Sequence, residues 1–321
     1  MKATQVSTNP FCNSDTNKRY YTYDYYLKRT FGGKCMKIPL DAGFTCPNID
    51  GKCSVGGCIY CSSRGSGDFA ADSVIPVGEQ FEIIKKQLSS KWSTDKYIPY
   101  FQAHTNTYAP LETIRERVEE VLVKDGVVGL NIATRADCLE DDVVEYLVSL
   151  ADRTVLTVEL GLQTVHDCTA FLINRGHTYS DFLVGYEKLR RASDRINICV
   201  HLIFGLPGEN REMMLESVSK VASLRPEQVK IHLLHVIKNT RLAEIYLDGQ
   251  YEPMRMEDYV DVCAEALTLL PPDTVIGRLT GDGKREELLA PEWSLKKTVV
   301  INSIDKIMYS RELWQGKSFR G

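Results

Sequence analysis

The chain has 321 residues, 43% of them apolar and 26% charged, and its 39 basic and 43 acidic residues give a net charge of −4. This composition is typical of a globular protein with a large core, and it excludes a polycation that binds nucleic acid through bulk charge. No apolar run reaches the about 18 to 20 residues that cross a bilayer, and the N-terminus lacks the apolar segment of a secretory signal. We therefore expect a cytoplasmic protein without a membrane partner.

Short apolar runs alternate with segments of helical periodicity, which indicates βα units and a parallel sheet. The runs predict six strands, at 37–40, 98–103, 127–133, 154–160, 197–204 and 229–236, with helices near 79–91, 111–124, 140–151, 180–192 and 210–224. Asn210 is a good N-cap for the last of these helices. His232 and His235 resemble a metal-ligand pair, but alternation along a strand predicts opposite faces for them. The α/β pattern fits a partial (β/α) barrel or a doubly wound sheet, and in both folds ligands lie at the carboxyl ends of the strands.

Two flanking segments depart from this repeat. Residues 1–35 are predicted to form an N-terminal extension whose aromatic stretch at 20–26 caps the barrel, and residues 36–240 to form the barrel itself. Residues 241–321 are predicted to form a C-terminal α/β extension with helices near 240–248, 255–270 and 295–310 and a strand at 274–279. In this extension Lys296, Lys297, Lys306 and Arg311 are either phosphate contacts for an RNA or part of a solvated charged face.

Four of the ten cysteines, Cys46, Cys53, Cys58 and Cys61, lie within 16 residues directly after the first strand. Because the chain shows no export signal and has a large core, this group indicates a metal rather than disulfides. The Cys58-x-x-Cys61 pair can supply two thiolates to a four-iron four-sulfur cluster. The alternative is a zinc site that uses all four cysteines, although intervals of six, four and two residues lack the paired Cys-x-x-Cys spacing usual for zinc.

Five phrases of the sequence carry a resemblance to a known family. They are the segment 37–48 (KIPLDAGFTCPN), Tyr100-Phe101-Gln102-Ala103, the segment 159–164 (ELGLQT), Asn174-Arg175-Gly176-His177 and the segment 203–209 (IFGLPGE). They resemble the radical S-adenosylmethionine superfamily, in the branch near the Elongator catalytic subunit and oxygen-independent coproporphyrinogen oxidase, and match a bacterial family of stand-alone radical proteins. The resemblance covers roughly residues 20 to 310 and implies a partial (β/α)6 TIM-like barrel with an N-terminal helical cap and a C-terminal α/β extension.

The same resemblance implies the cofactors and their ligands. Cys46, Cys58 and Cys61 would hold a [4Fe-4S] cluster, and the iron without a protein ligand would bind S-adenosylmethionine. Eleven residues separate Cys46 from Cys58, which is closer to the long Elongator loop than to the commonest spacing of the superfamily. Cys53 would then be a loop thiol that is not a ligand.

Five further residues are predicted to contact S-adenosylmethionine. Gln163 and Arg175 are twelve apart, as are a Gln and an Arg that bind the cofactor in the coproporphyrinogen-oxidase group. By that similarity Gln163 meets the ribose or amino-acid end and Arg175 the carboxylate, while His201 stands where that group has a ribose-binding Asp. Gln102 lies where many relatives carry a Gly-Gly-Glu motif. Glu159 shares a strand face with Gly161 and Gln163.

The implied activity is the reductive cleavage of S-adenosylmethionine to a 5′-deoxyadenosyl radical, with flavodoxin or ferredoxin as the electron donor. Similarity to the Elongator branch implies tRNA as the substrate, at the C5 side chain of a wobble uridine. About 80 residues follow the sixth strand, too few for the acetyltransferase domain of Elongator. We therefore expect a variant reaction, such as processing of an existing aminomethyl-type substituent. The alternatives are a radical enzyme for a small metabolite or a porphyrin-like substrate, and a non-catalytic zinc-bound RNA-binding module.

Overall fold

The computed structural model describes residues 9–65, 67, 69–90, 93–281 and 283–320. Seven parallel strands form one sheet, in the order β1 (Met36–Leu40), β2 (Tyr97–Phe101), β3 (Gly129–Thr134), β4 (Val155–Gln163), β5 (Asn197–Phe204), β6 (Gln228–Leu233) and β8 (Val275–Arg278). A short antiparallel pair consists of β7 (Val236–Ile237) and β9 (Leu288–Ala290). The predicted α/β class and partial barrel are confirmed.

Helices connect the strands and cover the outer face of the sheet. They are α1 (Tyr23–Phe31), α2 (Val77–Ser89), α3 (Leu111–Leu122), α4 (Asp141–Ala151), α5 (Asp167–Leu172), α6 (Tyr179–Ala192), α7 (Arg211–Leu224), α8 (Arg241–Leu247), α9 (Met256–Leu269) and α10 (Lys297–Ser310). As predicted, Asn210 caps α7, because its side chain accepts a hydrogen bond from the backbone N–H of Met213 at 2.9 Å. None of the described helices combines the length and the apolarity that a bilayer span needs.

The strands alternate between an outer apolar face and an inner polar face. On β1, Met36, Ile38 and Leu40 are buried in the main hydrophobic core, whereas Lys37 lies between Met36 and Ile38 and turns its ammonium group to the inside of the barrel. The polar inner faces of several strands therefore meet within one enclosed space.

Both flanking segments complete the barrel. The strand predicted at 274–279 is β8, and it joins the sheet beside β6 as a seventh strand, with Gln228 opposite Val275. The N-terminal segment follows β8, since the backbone N–H of Ile276 donates to the carbonyl oxygen of Tyr21 at 2.8 Å. Helix α1, the predicted helical cap, starts directly after this contact. Because β1 and β8 form the two edges of the sheet, the barrel is open between them.

Candidate cofactor site

A cavity of about 950 Å³, including its open mouth, lies at the carboxyl ends of the strands. All eight residues predicted to hold the cluster or the cofactor line this one cavity: Cys46, Cys58, Cys61, Gln102, Glu159, Gln163, Arg175 and His201. They come from the loop after β1, from β4 and β5, from the end of β2 and from the loop after α5. The fold thus brings together residues that are up to 155 positions apart in the sequence, from Cys46 to His201.

The cysteine loop is anchored by Asn48, which is fully buried. The side-chain Nδ2 of Asn48 donates to the carbonyl oxygens of Asn174, at 2.6 Å, and of Arg175, at 2.7 Å, and lies 3.5 Å from the sulfur of Cys58. Gly176 leaves room for this side chain, because a Cβ at residue 176 would lie 1.9 Å from the Oδ1 atom of Asn48. Asn48 therefore ties the thiol of Cys58 to the loop that carries Arg175.

Arg175 lies between the cysteine loop and the end of β4. Its Nη1 atom is 3.9 Å from the sulfur of Cys58, and its Nη2 atom donates to the carbonyl oxygen of Gly161. Gln163 follows in a β-bulge with a φ of 79°, and both side chains lie over Gly161, where a Cβ would be 2.8 Å from Nε2 of Gln163. The Nε atom of Arg175 is buried and has no hydrogen-bond partner within the described residues. A buried donor without a partner indicates a ligand or an ordered water.

The ion pair of Arg135 with Asp137 supports the loop that carries Arg175. Arg135 donates to the carbonyl oxygen of Arg175 at 2.8 Å and binds both carboxylate oxygens of Asp137. Although burial favours the neutral acid, the hydrogen bonds and the charge of Arg135 hold the pKa of Asp137 below its usual value. The thiol of exposed Cys53 lies 3.8 Å from Asp137, and burial together with this carboxylate raises the pKa of Cys53. Cys53 thus faces an anion that keeps its thiol protonated.

The floor of the cavity is built around Glu159, whose side chain has no solvent exposure. Five side chains donate hydrogen bonds to its carboxylate: Lys37 at 2.9 Å, Asn131 at 2.7 Å, Tyr100 at 2.7 Å, His201 at 2.9 Å, and Lys230. Burial alone raises the pKa of a carboxyl group, but the ammonium charges of Lys230 and Lys37 hold the pKa of Glu159 well below its usual value. Glu159 is therefore a paired carboxylate, which reaches the cofactor cavity beside Tyr100 and His201.

Glu159, Cys199 and His201 also present ligand atoms within 4.8 Å of one another, the spacing of a metal site. Two ammonium groups already bind the carboxylate, however, and they would repel a cation. Burial lowers the pKa of His201 to about 4, so its ring is neutral and its Nε2–H donates to Glu159. We interpret this cluster as the structural floor of the barrel and not as a metal site.

His232 and His235 line a second chamber, which adjoins the cofactor cavity and shares Gln102, Gln163 and His201 with it. The prediction that the two rings face opposite sides was wrong. Strand β6 ends at Leu233, so the alternation of a strand does not extend to His235.

The four cationic residues predicted to contact RNA do not form one cluster. Lys297 is the first residue of α10. Burial and the charge of Arg278 lower the pKa of Lys297. Nine residues of helix turn through about 900°, which places Lys306 on the side of α10 opposite Lys297. Arg311 forms an ion pair with Asp261. Lys296 is exposed directly before α10.

The donor groups of the cavity fit an iron–sulfur cluster with an additional organic ligand. Three thiols line the same wall, which leaves one iron of a cube without a protein ligand. The unpartnered Nε of Arg175 and the amides of Gln102 and Gln163 lie in the same cavity and suit a carboxylate and hydroxyl groups. The role of Asn48 in anchoring the cysteine loop was not predicted. Asn48 belongs to the Cys-Pro-Asn phrase, but its partners lie 126 and 127 positions away in the sequence.

Comparison with known families agrees with this geometry. A model of the radical SAM superfamily matches residues 49–221, and a model of the radical SAM C-terminal domain matches residues 226–310. The chain therefore belongs to the radical SAM superfamily and is a radical SAM enzyme. Members of this superfamily use a [4Fe-4S] cluster and S-adenosylmethionine, and these are the cofactors of this chain. Membership favours the cluster over the zinc alternative.

Among individual proteins, the chain is 48% identical to YtqA of Bacillus subtilis (strain 168) over 315 residues, which cover 98% of this chain and 97% of YtqA. It is 31% identical to the tRNA uridine(34) acetyltransferase of Methanocaldococcus jannaschii over 183 residues, 56% of this chain and 30% of that protein. Its fold is similar to that of Elp3 from Methanocaldococcus infernus, with a TM-score of 0.64 and 20% identity over 88% of this chain and 64% of the Elp3 chain.

Proposed function

We propose that the chain modifies tRNA at the C5 side chain of a wobble uridine, with reduced flavodoxin or ferredoxin as the electron donor. The observation that carries the proposal is the 183-residue similarity to a tRNA uridine(34) acetyltransferase. This similarity covers only 30% of that protein, so we do not carry over the transfer of an acetyl group. Processing of an aminomethyl-type substituent already present on the uridine is the reaction that we propose instead.

In this proposal Cys46, Cys58 and Cys61 bind the cluster through their thiolates. When bound, the cluster and S-adenosylmethionine supply a radical that abstracts hydrogen from the substrate. The protein residues bind and orient the cofactors and the substrate and enclose them. Asn48 fixes the cysteine loop against the loop of Arg175, so the fold would hold the thiol of Cys58 and the guanidinium of Arg175 in place relative to each other when the cluster and the cofactor bind.

The amino-acid end of S-adenosylmethionine is bound by Arg175, whose Nε has no other partner in the described chain. Gln163 hydrogen-bonds the ribose or the amino-acid end, and Gln102 offers its amide from the position directly after β2. His201 meets the ribose, and Glu159 acts through it by holding the neutral ring in one orientation. Lys296 and Lys297 offer phosphate contacts at the start of α10.

The test is mass spectrometry of tRNA nucleosides from a strain that lacks the gene, complemented with the wild type or with Cys58→Ala. We expect the deletion to lose one C5-substituted wobble uridine and to accumulate its precursor, and only the wild-type gene to restore the product. An unchanged nucleoside profile would contradict the RNA substrate and favour a small metabolite.

A further inference from the structure

One end of the chamber lined by His232 and His235 lies beyond the cofactor cavity, since His235 and Phe69 line the chamber and not that cavity. The chamber has a volume of about 890 Å³ including its mouth, and its lining continues that of the cofactor cavity through Gln102 and Gln163. Among the described residues that line it, Tyr60 and Phe69 are aromatic and no carboxylate is present. The chamber therefore offers a place for a substrate next to the bond that the cofactor breaks.

Two imidazole nitrogens in this chamber have unused hydrogen-bonding capacity. The Nε2 atoms of His232 and of His235 are buried and make no hydrogen bond in the described chain. The ring of His235 packs against Gly281. A Cβ at residue 281 would lie 2.6 Å from Cε1 of His235, so the ring fits here because residue 281 has no side chain. The ring of His232 is tilted against that of His201, with 5.1 Å between the centroids. Buried polar groups in native proteins are nearly always paired, so both atoms indicate a ligand.

Both rings are uncharged at neutral pH. Burial lowers the pKa of His235 to about 4, and burial together with the neighbouring His201 holds the pKa of His232 well below its usual value. A neutral imidazole has one nitrogen that donates and one that accepts a hydrogen bond. The two histidines therefore suit a ligand that is itself uncharged and carries both donors and acceptors.

We propose that this chamber binds the uracil ring of the substrate, with Nε2 of His232 and of His235 as hydrogen-bond partners and with Tyr60 and Phe69 as aromatic walls. The inference rests on the proposed function and deepens it by naming the residues that read the base. The edge of a uracil ring carries one N–H donor between two carbonyl acceptors, which matches neutral imidazoles. Enzymes that act on a base within folded nucleic acid take the base out of its stack, and aromatic side chains replace the lost stacking.

The first experiment uses the holoenzyme with S-adenosylmethionine and two anticodon stem-loops, one with uridine and one with an abasic site at position 34. We expect the wild type to prefer the uridine stem-loop by roughly fivefold or more, the amount typical of one stacked base. His232→Phe and His235→Phe should each reduce this preference about three- to tenfold, which corresponds to the loss of one hydrogen bond. His166→Phe is the matched control, because His166 lies outside the chamber and already bonds the carbonyl oxygen of Met213 at 3.0 Å.

Equal affinity of the wild type for both stem-loops, or an unchanged preference in both chamber variants, would overturn the subsite. Each Phe variant keeps a ring and removes a buried unpartnered nitrogen, so we expect its cluster content and its unfolding midpoint at neutral pH to match those of the wild type.

A second measurement needs no RNA and separates the subsite from the proposed function. Free uridine is titrated into holoenzyme labelled with ¹⁵N-histidine, and the ring-nitrogen signals are assigned with the Phe variants. We expect the signals of His232 and His235 to shift and that of His166 to stay in place. No shift at either chamber histidine overturns the subsite even if the enzyme modifies tRNA. If the two histidine signals shift but the enzyme leaves tRNA unmodified, the subsite is retained and tRNA is contradicted as the substrate.

Discussion

At the floor of the barrel, five side chains donate hydrogen bonds to the carboxylate of Glu159. At the mouth of the same barrel, the Nε atom of Arg175 and the Nε2 atoms of His232 and His235 are buried and have no partner within the described residues. Both regions are polar, and the same strands carry them. At the floor, the polar groups pair with one another when the chain folds. At the mouth, donors and acceptors remain for a ligand. Substitutions at the floor should therefore act on stability, and substitutions at the mouth on ligands.

The sharpest expected contrast is between two cysteines of the mouth. Cys58→Ala should lose the cluster and all cleavage of S-adenosylmethionine while the barrel stays folded, because Cys58 lines the cofactor cavity. Cys53→Ala is the matched control and should retain both, because Cys53 lies against Asp137. Iron and sulfide analysis after anaerobic reconstitution measures the first effect, and circular dichroism checks the fold. Loss of the cluster in Cys53→Ala with retention in Cys46→Ala would mean that the ligand set is wrong.

At the floor, Glu159→Gln should cost several kcal/mol of unfolding free energy. The change keeps the shape but leaves the ammonium groups of Lys37 and Lys230 buried without a counter-ion, and breaking a buried ion pair costs about 3–5 kcal/mol. Glu119→Gln breaks an exposed pair with Arg153 and should cost less than about 1 kcal/mol. Urea denaturation of the apoprotein compares the two. Equal losses would show that the floor does not carry the stability we assign to it.

Asn48→Ala should have a smaller effect on stability, of about 1–3 kcal/mol, since the carbonyl oxygen of Asn174 loses its side-chain donor and that of Arg175 keeps only Arg135. Because Asn48 also contacts the sulfur of Cys58, the reduction potential of the reconstituted cluster should change as well. Asn13→Ala, which removes an exposed bond to the carbonyl oxygen of Pro272, should change neither quantity. A spectroelectrochemical titration reads the potential, and an unchanged potential in Asn48→Ala would limit Asn48 to a structural role.

The last contrast appears only when the pH is lowered and should be negligible at neutral pH. The pKa values of His177, His201 and His235 are lowered to about 4, chiefly by burial. Between pH 4 and about 6.5 the unfolded chain therefore binds more protons than the folded chain, and stability falls as the pH is lowered through this window. Each histidine contributes up to about 1.4 kcal/mol per pH unit there. His235→Phe should flatten the dependence in urea titrations at pH 4.5 to 6.5, and an unchanged slope would mean that His235 is not buried in its neutral form.

The strands were predictable because most of them read as apolar runs, and the six predicted runs all became strands of one sheet. The strand at Val275–Arg278 was also predicted, but its place beside β6 was not, since an apolar run does not identify its hydrogen-bonding partner. The short elements β7, β9 and α5 give no periodic signal and were missed.

The eight residues predicted from the cysteine spacing and the family phrases line one cavity, and their contacts with the cofactors stay a prediction. Contacts between distant loops were not predictable from the sequence. Asn48 acts on Arg175 across 127 positions, and the orientation of His235 depends on where β6 ends, which the apolar run 229–236 conceals. The lysines of the floor were also unforeseen, because a charged residue within an apolar run does not reveal that a carboxylate from another strand will neutralise it.

The central claim is that Cys46, Cys58 and Cys61 hold a cluster with one iron open to S-adenosylmethionine. Electron paramagnetic resonance of the anaerobically reduced protein, with and without S-adenosylmethionine, tests it directly. We predict about four irons per chain, a reduced-cluster signal that changes when S-adenosylmethionine is added, and no signal after alanine replaces the three cysteines. A signal that persists in the triple variant, or that S-adenosylmethionine leaves unchanged in the wild type, would contradict the account.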